Sequence, residues 1–377
     1  MGLFNSASSK QTLTEEAVRQ SLSVINDPDL RRDIVSLGFV KNIQITGTTV
    51  AVVIELTTPA CPVKDQMKEE AEQALRKLGA EEVRVEMTSR VTSPGAARRS
   101  AMLPAVKNTI AVASGKGGVG KSSVAVNLAV ALAEEGSTVG LIDADIYGPS
   151  APLMFGLNGK QTYVYENANG ERKIAPLEAY GVKVISLGFL VDPDQAVIWR
   201  GPMAAGALKQ LMSDVEWGEL DYLIFDLPPG TGDIQLTLTQ SIPLTGAVIV
   251  TTPQDVALAD ARKGLRMFER VQVPVLGIIE NMSYFIAPDT GKRYDIFSHG
   301  GGQRAATEMN VPFLGEIPLV MEMREGGDEG KPLVVRNPES ETAQSIREIA
   351  RQMAAQISIT NISGQSQPLT IELLQQN

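Results

Sequence analysis

The stretch from Thr109 to Ser123 constrains this chain more than any other. Thr109 to Ala113 is short, apolar and partly β-branched, as a buried parallel strand is. Gly115-Lys116-Gly117-Gly118-Val119-Gly120-Lys121-Ser122-Ser123 follows and fits G-x-x-x-x-G-K-[ST]. From Val124 to Glu135, Ala125, Leu128, Ala129 and Leu132 recur at helical spacing. Strand, glycine-rich loop and helix in that order are the setting of a phosphate-binding loop. Glycines let backbone N–H groups approach a polyphosphate closely, and the helix N-terminus adds partial positive charge. Lys121 is placed to reach the β- and γ-phosphates of ATP, and the Ser122 hydroxyl to ligate Mg²⁺.

The loop holds a second lysine, Lys116, directly after its first glycine. The pattern K-G-G-x-G-K-[ST] resembles the deviant phosphate loop of the MinD, Mrp and nitrogenase iron-protein class. The resemblance implies an ATP-hydrolysing homodimer in which Lys116 crosses to the partner's nucleotide.

Two more apolar strands end in acids. Thr138 to Ile142 runs into Asp143-Ala144-Asp145, and Leu220 to Phe225 runs into Asp226-Leu227-Pro228-Pro229-Gly230-Thr231-Gly232-Asp233. Strand-end carboxylates in an open α/β sheet lie where ligands bind. Asp226 is expected to hold Mg²⁺ and the loop after it to act as a nucleotide-sensing switch. By resemblance, Asp145 polarises the attacking water. Asp143 either lies near the Mg²⁺ shell or caps the following turn. Val275 to Glu280 is a further strand, ending at Asn281. In related ATPases an Asn there reads the adenine edge; as a bare residue type, Asn also suits a turn.

Together these features predict a doubly wound, mostly parallel α/β domain over residues 108–357. Before it, residues 12–88 read as a small α/β module. Thr12 to Glu15 fits a capping box, strands fall at 39–46 and 49–56, a helix at 63–78 and a strand at 83–87. Asp27-Pro28, Val35-Ser36-Leu37-Gly38 and Thr57-Thr58-Pro59-Ala60-Cys61-Pro62 resemble the metal–sulfur cluster assembly domain. Cys61, at a loop-to-helix junction, is either a thiolate that ligates an iron–sulfur cluster or a small buried residue. Residues 89–107, with Arg98-Arg99, read as a linker, and residues 358–377 as a polar tail.

The whole chain resembles Mrp/ApbC-type ATPases, iron–sulfur cluster carriers that deliver to apoprotein clients with assembly factors. Trp199-Arg200-Gly201-Pro202 and Ser298-His299-Gly300 also match that family. One departure matters. That family carries C-x-x-C after Asn281-Met282-Ser283-Tyr284-Phe285, and here the two positions hold Ala287 and Thr290. The usual cluster ligands are therefore missing, which keeps open a nucleotide-switched scaffold or positioning ATPase without a cluster. His299 packs a turn or serves as a ligand.

Composition limits the alternatives. The 377 residues carry a net charge of −10 and a pI near 4.9, which argues against nucleic acid as the main partner. One cysteine excludes an intrachain disulfide and fits a reducing cytosol. No leader or spanning apolar run is evident, so a cytoplasmic protein without a membrane anchor is expected.

Overall fold

The computed structural model describes residues 13–93, 102–146, 148–167, 170–189 and 201–365. Two compact units divide after Val91.

In the first unit α1 (Glu15–Leu22) is capped by Thr14, whose hydroxyl accepts from the Ala17 amide at 3.2 Å. The expected cap, Thr12, lies outside the described residues, and Glu15 opens the helix instead of closing a capping box. The Asp27 carboxylate accepts from the Asp29 and Leu30 amides, which fixes the turn at Asp27-Pro28. Strands β1 (Val40–Thr46) and β2 (Thr49–Leu56) form an antiparallel hairpin, and β3 (Glu82–Ser89) adds parallel to β2 after helix α2 (Lys64–Lys77). β2 alternates half-buried and buried residues, so its inward face (Val50, Val52, Ile54, Leu56) meets Val18 and Leu22 of α1 and Met67, Ala71 and Leu75 of α2.

The second unit is built on an eight-stranded sheet. Its strands are β4 (Val106–Ala113), β5 (Val139–Asp143), β6 (Leu177–Ala179), β7 (Val182–Ser186), β8 (Leu220–Asp226), β9 (Gly246–Thr251), β10 (Val275–Asn281) and β11 (Phe313–Ile317). Their order is β6-β7-β5-β8-β4-β9-β10-β11, and every neighbouring pair is parallel except β6 with β7. The central strands are buried on both faces, as their continuous apolar sequences require. Covering helices include α3 (Lys121–Glu134), α4 (Gly201–Ser213), α5 (Asp233–Ser241), α6 (Asp255–Arg270), α7 (Gly301–Glu308), α8 (Met321–Glu329) and α9 (Glu341–Gln365). No described helix is long and apolar enough to cross a membrane.

The C-terminal reading needs correction. α9 continues to Gln365, into the stretch from residue 358 expected to be a tail. Ile357, Ser358 and Asn361 are buried. The Asn361 amide donates to the Thr92 carbonyl at 3.1 Å and to Asn108 Oδ1 at 2.9 Å. The polar residues there serve polar partners inside the fold, which composition alone conceals. β4 likewise begins at Val106, inside the expected linker, while Arg98, Arg99, Trp199 and Arg200 lie outside the described residues.

Candidate functional site: a phosphate loop among strand-end acids

β4 delivers the chain to the loop at Ser114, and α3 leaves it at Lys121. Gly118 and Gly120 adopt φ of +79° and +78°, the left-handed region where a side chain is strained. Gly120 is also pressed by Asn281: a Cβ there would come within 2.3 Å of the Asn281 amide nitrogen. Gly115 has a different reason to be glycine. Its Cβ would fall 2.2 Å from the Asp260 backbone of α6, so helix packing demands it as well as phosphate chemistry.

Lys121, the site's one buried cation among the described residues, faces a set of acids. Lys121 Nζ lies 2.5 Å from Asp226 Oδ1, 3.9 Å from Asp145 Oδ2 and 3.2 Å from Ser122 Oγ. Asp226 is 1 % exposed, and its Oδ2 is buried without a hydrogen-bond partner among the described residues. An orphaned carboxylate oxygen on a residue that shares Lys121 with Ser122 is what a Mg²⁺ ion, directly or through water, would satisfy. Mg²⁺ therefore fits this donor set, and it would supply charge neutralisation on the phosphates.

Asp143 is fully buried and serves the fold. Its Oδ1 accepts from the Asp145 amide at 3.1 Å, and its Oδ2 from the Ala151 amide at 3.0 Å and Ser186 Oγ at 3.3 Å. Burial, and then the Asp226 charge, push its carboxyl up to about 7. Of the two readings open for Asp143, this geometry matches the turn cap. The loop after Asp226 is tied back to the phosphate loop by the Gly230 amide, which donates to the Ser114 carbonyl at 2.9 Å. Among the described residues Lys116, half-buried, makes no ion pair.

Asn281 is 4 % exposed, and its amide donates to the Val119 carbonyl at 2.8 Å. Here it clasps the loop. Beside it opens a pocket of about 240 Å³ lined by Leu153, Met154, Met282, Leu319 and Met323. Apolar walls of this kind suit the face of a nucleobase. Pro318 to Asp328, which form one side, carried no sequence signal because their role depends on where α8 packs.

Cys61, left open between a ligating thiolate and a small buried residue, is half-buried. It stands three residues before α2, packed against the core of the first unit. Burial, with smaller contributions from the Asp27 and Asp29 charges, pushes its thiol up to about 11, so the thiolate is disfavoured. Ala287 and Thr290 sit at the tip of a hairpin between Phe285–Ile286 and Arg293–Tyr294, where the Ala287 amide donates to the Lys292 carbonyl. His299 Nε2 lies 2.7 Å from Glu316 Oε2, and Glu280 stands beside them. Glu280 and Glu316 were not legible as site residues, because only strand order brings them together.

Comparison with known proteins decides the family. Residues 105–354 match the model described as NUBPL iron-transfer P-loop NTPase, and residues 15–87 that of an iron–sulfur cluster assembly protein. The chain belongs to the NUBPL iron-transfer P-loop NTPase family. Relatives of this NTPase named iron–sulfur cluster carrier protein include one from Synechocystis sp., 52 % identical over 92 % of this chain and 99 % of its own. One from Deinococcus radiodurans is 50 % identical over 92 % and 97 %. One from Escherichia coli is 42 % identical over 92 % and 94 %. Among solved structures, an Archaeoglobus fulgidus nucleotide-binding protein in complex with ADP is 39 % identical, with a TM-score of 0.54 over 63 % of this chain and 90 % of that one.

Proposed function

We propose that this NTPase hydrolyses ATP with Mg²⁺ and uses the cycle to carry iron–sulfur clusters to recipient apoproteins. The observation that carries this reading is similarity over nine-tenths of the chain to proteins named as such carriers, joined to a phosphate loop that faces buried acids. Lys121 holds the phosphates, Ser122 and Asp226 hold Mg²⁺, and Asp145 orients the attacking water. The amides of Gly115, Gly117, Gly118, Val119 and Gly120 line the phosphates, with Ser123 at the nucleoside end. Asn281 borders the base pocket. Lys116, free of an intramolecular ion pair among the described residues, reaches the partner's nucleotide in a homodimer.

The cluster is cargo, and its ligands are few. Ala287 and Thr290 supply no thiolate, and Cys61 is the chain's one thiol, so a homodimer offers two. Its remaining ligands come from a recipient protein or a small thiol. This shortage is the observation that favours a second reading, a nucleotide-switched scaffold without a cluster.

Anaerobic reconstitution with iron and sulfide separates the two. A chelator-labile cluster in the wild type, lost in Cys61→Ala, supports carriage; ATP hydrolysis with no iron retained supports the scaffold. For the nucleotide site, Lys121→Ala should abolish hydrolysis. Lys116→Ala should still bind ATP yet lose the rise of specific activity with protein concentration. Unchanged turnover in either variant sinks the corresponding role.

A further inference from the structure

We propose that Glu280, His299 and Glu316 form a mononuclear site for a first-row divalent transition-metal ion, separate from the nucleotide site. Glu280 and Glu316 are register partners on the parallel strands β10 and β11, so both side chains leave the same face of the sheet at its C-terminal edge. Like charges side by side on adjacent strands are unfavourable unless something neutralises them. His299, from the loop before α7, closes the third side. One ligand atom from each of the three residues lies within 4.8 Å of the other two.

Hydrogen accounting points the same way. Ser283 Oγ lies 2.6 Å from Glu280 Oε1 and 2.8 Å from Glu316 Oε2. A hydroxyl carries one hydrogen and can donate it to one of these oxygens only. The other short oxygen–oxygen contact needs a further proton or a cation between the groups. Arg293 does not supply it by ion pairing: its guanidinium stacks over Tyr284 and pairs with Asp295 at 3.0 Å.

The site is oriented and reachable. Glu280 is fully buried, and the amides of Gly300 and Gly302 donate to its two carboxylate oxygens. Hydrogen-bonded carboxylates of this kind hold a ligand in place. His299 and Glu316 are 37 % and 33 % exposed, which leaves an entry path. One imidazole with two carboxylates suits Fe²⁺, Co²⁺, Mn²⁺ or Zn²⁺ better than the oxygen-seeking Mg²⁺ or Ca²⁺. On binding, the ion replaces the hydrogen shared between His299 Nε2 and Glu316. The proposal does not rest on cluster carriage.

The test is equilibrium dialysis of the tag-free full chain against Co²⁺, with the visible spectrum recorded. The expected result is one Co²⁺ per chain with a spectrum showing nitrogen ligation. It should survive in Cys61→Ala, and weaken at least about tenfold in His299→Ala and Glu316→Gln, both still melting and hydrolysing ATP as wild type does. No stoichiometric Co²⁺ in the wild type would overturn the proposal and leave a shared proton in its place. So would unchanged binding in both variants, or loss in Cys61→Ala. Should either variant unfold, the wild-type spectrum decides: ligation by oxygen alone excludes His299. Because Cys61→Ala removes the chain's only thiol, failure of cluster carriage and failure of this site are read separately.

Discussion

At the scale of single residues, the phosphate loop brings Lys121 against Asp226 and Asp145. The spacing from Gly115 to Ser122 names its own task, because few other uses put glycines and a lysine in that order between a strand and a helix. Cys61 shows the opposite case. Its place before a helix suggests an activated thiol, while its packing against the first unit's core pushes the thiol up to about 11. Relative to the ordinary value of 9.0, the thiolate fraction near neutral pH falls on the order of 100-fold. Alkylation of the native chain by iodoacetamide should therefore be slower by about that factor than in the urea-unfolded chain. Equal rates would mean that Cys61 stands open to water.

At the scale of elements, strands declared themselves by apolar runs closed by Asp, Glu or Asn, and helices by apolar spacing. The end of α9 did not, because Ser358, Thr360 and Asn361 look like a solvated tail until their partners are known. Asn361 bridges the Thr92 carbonyl and the Asn108 side chain at the entry to β4. Asn361→Ala strips Asn108 Oδ1 of its donor, while the Thr92 carbonyl keeps the Asn108 amide at 2.9 Å, and should lower stability by about 1–3 kcal/mol, read from urea melts. Truncation after Ile357 should cost more, since it removes the helical turn itself. An unchanged midpoint for both would show that the helix end contributes nothing.

For the whole molecule, sequence marks the sheet's members but not their order, and order decides which strand ends become neighbours. β5 beside β8 sets Asp143 against Asp226, a proximity that makes stability depend on pH. Asp143 titrates near 7 in the fold and near 3.8 in an ordinary setting. Between those values the folded chain keeps a proton that the unfolded chain has shed. This group's contribution is full below about 4 and is lost as pH rises through about 7. In the nucleotide-free protein, the melting temperature should fall from about pH 5 to about pH 8 more steeply in wild type than in Asp143→Asn. Parallel slopes would remove Asp143 as the cause. β10 beside β11 has a different outcome. Glu280 and Asn281 are consecutive, so one faces the carboxylate cluster while the other faces the phosphate loop. The pairing of β10 with β11 is already shifted by one residue at Ile278 and Ile279. Inserting a single residue beside that shift would turn the carboxylate toward Val119 and the amide toward His299. The two sites are thus written in opposite phases of one zigzag, and a lineage that lengthens this strand keeps both only by adding pairs or by absorbing the odd residue in a bulge.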